Sequence, residues 1–138
     1  MTWQCEVVEY PGDWSDMKVG QMFYGPTEEE ALARDEKWDS ILRLYSKHLS
    51  EYYKANNSHR RPLFVILPGN TPFCIDGQCH SGEHGFHGGW TVTGVEPNIT
   101  VQPSINLGGM YHGWLQNGVI SDDCEGRQYA ADGYEIRK

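Results

Sequence analysis

Apolar residues recur at three- and four-residue intervals through Ala31, Trp38, Ile41, Leu42, Tyr45, Leu49 and Tyr52, the period that lines one face of an α-helix. Thr27 followed three residues later by Glu30 is a capping box at the head of this stretch. Glu28 and Glu29 add negative charge where the helix dipole is positive. The spacing predicts one long amphipathic helix over 28–55, with Ser40 on its solvated face and Asn56-Asn57-Ser58 at its end. Before the helix, Trp3 to Val8 reads as a short strand, and a turn-rich stretch holding Pro11-Gly12-Asp13 runs to Gly25-Pro26. After it, Arg60-Arg61-Pro62 leads into an unbroken apolar run, Leu63 to Leu67, predicted to be a buried strand closed by Pro68-Gly69-Asn70.

Beyond residue 70 the pattern changes to short, glycine-rich strands: Gly88 to Thr93, Asn98 to Gln102, Met110 to Gln116 and Val119 to Ser121. Asn117-Gly118 between the last two is a two-residue hairpin signal. No internal repeat or low-complexity linker interrupts the chain. The expected architecture is therefore one α+β domain over 1–138, with the long helix in 1–70 packed on a mainly antiparallel β part over 71–138 that carries a metal site.

At 138 residues the chain suits a single core. Eleven Lys and Arg against 19 Asp and Glu give a net charge of −8, which repels a polyanion and argues against nucleic acid as the main partner. The longest apolar run has five residues where a membrane helix needs about 20, so no membrane span is expected. Met1 to Tyr10 carries Glu6 and Glu9 and lacks a signal-peptide pattern, which points to the cytoplasm. In that reducing setting the four cysteines are expected as metal ligands or buried thiols rather than disulfides.

The densest chemistry lies in Cys74, Cys79, His80, Glu83, His84 and His87. Thiolate and imidazole together suit zinc, and two cysteines separated by four residues can reach one tetrahedral centre around a turn. The rest of the site has to come from elsewhere, and His112 and Cys124, which flank the 117–118 hairpin, are the candidates. At least two of His80, His84 and His87 are expected to be simply exposed. Cys5 is expected as a packed thiol, and His48 and His59 as surface residues. A second constellation is Ser104 with His112, a nucleophile and base on neighbouring strands, since a serine hydroxyl needs a nearby base to attack. Asp122 or Asp123 could orient His112, although most serines near a histidine are structural.

Phe73-Cys74, Gly89-Trp90-Thr91-Val92, Ile99 to Ile105, Tyr111 to Ile120 and Asp123-Cys124 together resemble a domain family of unknown function. Its members are small phage proteins often mislabelled as ammonia monooxygenases, with relatives encoded beside bacterial ubiquitin-like conjugation genes. The resemblance covers residues 72–126 and implies a metal-binding β domain, in some relatives one that processes a small protein modifier. It implies Cys74, His112 and Cys124 as ligands and places Ser104 in a Pro-Ser element. This chain departs from the pattern with Tyr111 where a Cys is common before the His, and with Glu125 and Gly126 where a second His is common. The fourth ligand then falls to Cys79 or His80.

Two functions follow as expectations. One is a zinc-dependent or zinc-stabilised hydrolase cutting a peptide or isopeptide bond, with Glu83 as base to a zinc-bound water, or with Ser104 activated by His112. These versions exclude each other at His112, which cannot ligate a metal and serve the serine through one nitrogen. The other is a non-catalytic zinc module that binds a host protein as an anti-defence inhibitor or adaptor, using Trp14, Tyr24, Trp90 and Trp114 as a contact surface. A virion component is a third reading, favoured by small size and β content alone.

Overall fold

A computed structural model describes residues 1–55, 60–75, 91–107 and 109–136. Among them the strands form two sheets. One holds β1 (Trp3–Gln4), β9 (Val119–Ile120), β8 (His112–Gln116), β7 (Asn98–Asn106) and β6 (Thr91–Val95), in that spatial order and antiparallel throughout. The other holds β2 (Glu6–Val7), β3 (Gln21–Tyr24), β4 (Leu63–Leu67) and β5 (Thr71–Cys74), with only β2 and β3 parallel. The α+β class and the mainly antiparallel pairing agree with the sequence. The predicted strand Trp3 to Val8 is split at Cys5. Its first half joins one sheet and its second half the other, while the Cys5 N–H donates to Gly118 O at 2.8 Å.

The apolar run 63–67 is continuous because both faces of β4 are covered. Leu63, Val65 and Leu67 join Met22, Phe73, Ile99, Val101, Ile105, Leu115 and Ile120 between the sheets. Phe64 and Ile66 face the opposite way, toward Trp38, Ile41, Leu49 and Tyr52 of the helical layer. The molecule is thus layered helix, four-stranded sheet, five-stranded sheet. Cys5 is buried between the sheets, as the packed thiol expected.

The single helix expected over 28–55 is broken. α1 (Glu28–Ala33) keeps the capping box but buries no residue. Arg34 then takes the left-handed conformation (φ 54°), and Asp35 caps a 3₁₀ turn, Glu36–Trp38, by accepting from the Lys37 N–H. α2 (Asp39–Ala55) starts afresh. An Asp side chain satisfies free N–H groups better at a helix start than within a helix, and here that local bond overrides the continuing period. From Trp38 onward the expected face is the buried one. Ser40 is not wholly solvated, since its hydroxyl bonds the Tyr10 hydroxyl at 2.7 Å. His48 is half-buried, edge-on to Tyr45, rather than a surface residue.

The 117–118 signal is realised. Asn117 (φ 46°) and Gly118 (φ 76°) both take positive φ, the requirement of the hairpin turn that matches strand twist. The strand beginning at Asn98 continues past Gln102 to Asn106, with a register irregularity between Val101 and Ile105. No helix among the described residues is long and apolar enough to cross a membrane.

Candidate active site

β8 alternates strictly: Gly113 and Leu115 are buried toward the other sheet, while His112, Trp114 and Gln116 face outward. β7 pairs Val101 with Leu115 and Ile105 with Gly113, so Gln102 to Ser104 oppose the single residue Trp114. This bulge re-aims the strand, as bulges beside functional sites do. It brings Ser104 diagonally across from His112, with Ser104 Oγ 3.1 Å from His112 Nε2. The other ring nitrogen, Nδ1, lies 3.1 Å from Glu125 Oε2. An ionised carboxylate only accepts, so the network assigns the proton to Nδ1 and leaves Nε2 to accept from the Ser104 hydroxyl. The row is open to solvent: the side chains of His112 and Glu125 are 28% and 49% exposed.

Gly113 makes this arrangement possible from beneath. A Cβ at that position would stand 2.0 Å from the Tyr111 hydroxyl oxygen and 2.8 Å from Ser121 Oγ. Without one, the Tyr111 ring passes under β8 and donates to Ser121 O at 2.8 Å. Burial pushes the Tyr111 phenol up to about 12, so the hydroxyl stays a donor.

Glu125 is set by the turn that follows β9. The Asp123 side chain, fully buried, accepts the N–H of His112 (2.8 Å), Glu125 (3.0 Å) and Arg127 (2.8 Å), and the Arg127 guanidinium at 3.1 Å. Burial alone raises such a carboxyl, but these four donors outweigh it and hold Asp123 below the usual carboxylate range. Arg127 also lies 3.5 Å from Glu125 Oε1. Asp122, the other carboxylate considered for orienting His112, instead pairs with the N-terminal amine at 3.2 Å.

The structure thus brings together Ser104 and His112, as the sequence suggested, and adds Glu125, which sequence reasoning noted only as a departure from the family pattern. The signal available was the Asp123 to Gly126 turn directly after a strand neighbouring β8, which carries residue 125 back toward residue 112.

The expected metal ligands do not converge. Cys74 is fully buried in the helix-side core, so its side chain leaves the four-stranded sheet on the face turned away from the other sheet. His112 faces outward from the five-stranded sheet. Packed sheets lie about 10 Å apart, whereas zinc ligands sit about 2.0–2.3 Å from their ion; Cys74 and His112 therefore do not share one. Cys124 is exposed beside His112, its N–H donating to His112 O at 2.6 Å. Both ring nitrogens of His112 already have partners, so an ion on this ring would displace Ser104 or Glu125. No group of three or more His, Cys, Asp or Glu able to hold a metal occurs among the described residues. Cys79, His80, Glu83, His84 and His87 lie outside them. The chain matches no family model, no curated protein and no solved structure.

Proposed function

We propose that the chain is a serine-type hydrolase of acyl bonds, with Ser104 as nucleophile, His112 as base and Glu125 holding the imidazole. The carrying observation is the unbroken row of two 3.1 Å contacts from Ser104 Oγ through both nitrogens of His112 to Glu125. Such a constellation is identified by geometry and role rather than by sequence order. In the first step Ser104 Oγ bonds to the substrate carbonyl carbon as its proton moves to Nε2, and the Glu125 carboxylate stabilises the resulting imidazolium. Collapse breaks the carbonyl–nitrogen bond, and the imidazolium returns the proton to the leaving amine. A water then attacks the acyl-serine, His112 takes the water's proton, and Ser104 is released with that proton. The family resemblance supports a peptide or isopeptide bond to a small protein modifier as the substrate.

A fluorophosphonate probe tests this directly. Wild-type chain should label at Ser104 and cleave peptide or ubiquitin-like fusion substrates, and Ser104→Ala should lose labelling and at least about 10³-fold of turnover while remaining folded. A wild-type chain that neither labels nor cleaves would remove the proposal. It would leave the non-catalytic module, for which the exposed Trp114 on the same face supplies a contact residue.

Zinc is a separate part of the proposal. With Cys74 and His112 on different layers, it rests on the thiolate and imidazole types of Cys79, His80 and their histidine neighbours, which lie outside the described residues. Elemental analysis of chain prepared with zinc present, about one ion expected, tests it independently of activity.

A further inference from the structure

We infer that Asp123 is a positioning residue for the His112–Glu125 pair: its carboxylate ties the backbone of both partners to one point and so sets the imidazole's tautomer. His112 and Glu125 lie thirteen residues apart, at the start of β8 and in the loop after β9. The Cys124 N–H bond to His112 O at 2.6 Å draws the two stretches together but does not reach Glu125. Asp123 does, by accepting the N–H of His112 on Oδ1 and that of Glu125 on Oδ2, so one planar carboxylate sets the distance between two backbone atoms. Arg127 completes the clamp, donating through its own N–H and its guanidinium to Asp123 while approaching Glu125 Oε1. With its side chain fully buried, Asp123 cannot touch a substrate, and it acts through the two residues it holds. Its consequence for catalysis rests on the hydrolase reading; its effect on the imidazole does not.

The test is the tautomer itself. In full-length chain carrying ¹⁵N-histidine, long-range proton–nitrogen correlations report which ring nitrogen holds the proton, and His112→Asn identifies the signal among the six histidines. Wild-type His112 should be the Nδ1–H form. Asp123→Asn should convert it substantially to the Nε2–H form, as Glu125→Ala should by removing the acceptor, and should slow fluorophosphonate labelling by about 10–100-fold, the scale of an ångström-level misplacement. A role confined to stability would lower the melting temperature and leave the tautomer of the folded chain unchanged. If Asp123→Asn is folded and stays Nδ1–H while Glu125→Ala converts, Asp123 is not a positioning residue. If neither converts, the Glu125 contact, and the hydrolase reading with it, fails. Should Asp123→Asn not fold, Asp123→Glu carries the test, since it keeps the charge but lengthens the arm that spaces the two N–H groups: partial conversion supports the inference and an unchanged wild-type tautomer overturns it.

Discussion

The two outer sides of the strand layers differ in kind. The helix-facing side of the four-stranded sheet is packed with rings: Phe23 stacks on Phe64 at 5.2 Å, Tyr10 on Trp38 at 4.9 Å, and Tyr45 meets Phe64 edge-on at 5.3 Å. Even its polar groups serve packing, since the Tyr45 and Tyr53 hydroxyls donate to Pro72 O and Pro26 O. The outward side of the five-stranded sheet carries Gln102, Ser104, His112, Trp114 and Gln116, all wholly or partly exposed. One side buries apolar area and supplies stability; the other holds an ordered polar row at the surface, where it supplies little. The proposed chemistry and the stability therefore fall at opposite ends of the layered structure, and substitutions can separate them.

The largest effect should come from the helix side. Ile41 is wholly buried against the four-stranded sheet, and Ile41→Asp puts an unpaired charge there, a change costing more than about 4 kcal/mol. That is enough to unfold a domain of ordinary stability. Ser46→Asp, on the exposed face of the same helix, should change stability by about 0.5 kcal/mol or less. Circular dichroism melts decide it; equal tolerance of both would mean that α2 is a detached arm and that the contrast between the two sides is false.

An intermediate effect should come from the layer between the sheets, through pH. Burial pushes the Cys5 thiol and the Tyr111 and Tyr129 phenols up to about 12. Each is raised above its unfolded value, so the stability it contributes is complete below that value, about 9 for Cys and 10 for Tyr, and is lost as pH rises toward 12. The shifts correspond to a few kcal/mol in order of magnitude. The denaturant midpoint should fall from about pH 9 upward, and Cys5→Ala should delay that fall by about one pH unit. A midpoint that stays level to about pH 11 would show that these groups are not buried as described.

Legibility in the sequence followed how locally each feature is determined. The register of α2 could be read because side chains from Trp38 to Tyr52 repeat at one period against one surface. The hairpin at 117–118 could be read because positive φ at two successive residues demands Asn-Gly. The break at Arg34 and Asp35 was hidden because the capping bond competes with a period that continues through it. Cys5 divides a strand between two sheets with no glycine or proline to mark the change. Cys74 illustrates the same limit for the site: β5 is buried on both faces, and only the arrangement of layers decides that its thiol faces the helix. Ser104 and His112 could be paired from adjacent strands, but Glu125 reaches the row only through a turn tied down by Asp123.

The smallest effect sharpens the comparison most. Glu125 and His112 are partly exposed, and pairs of this kind are worth about 0–1 kcal/mol, because solvent screens the charge and two side chains lose freedom. Glu125→Gln keeps the size and one acceptor oxygen while removing the negative charge, so its melting temperature should change by no more than a few degrees. Turnover should nevertheless fall by orders of magnitude, since the imidazolium formed when His112 takes the Ser104 proton loses its counter-charge. A large loss of stability would place Glu125 among the structural residues and join the outward face to the core. Loss of turnover in a chain that melts like wild type would keep the two sides distinct, with the carboxylate's worth appearing only when a proton moves along the row.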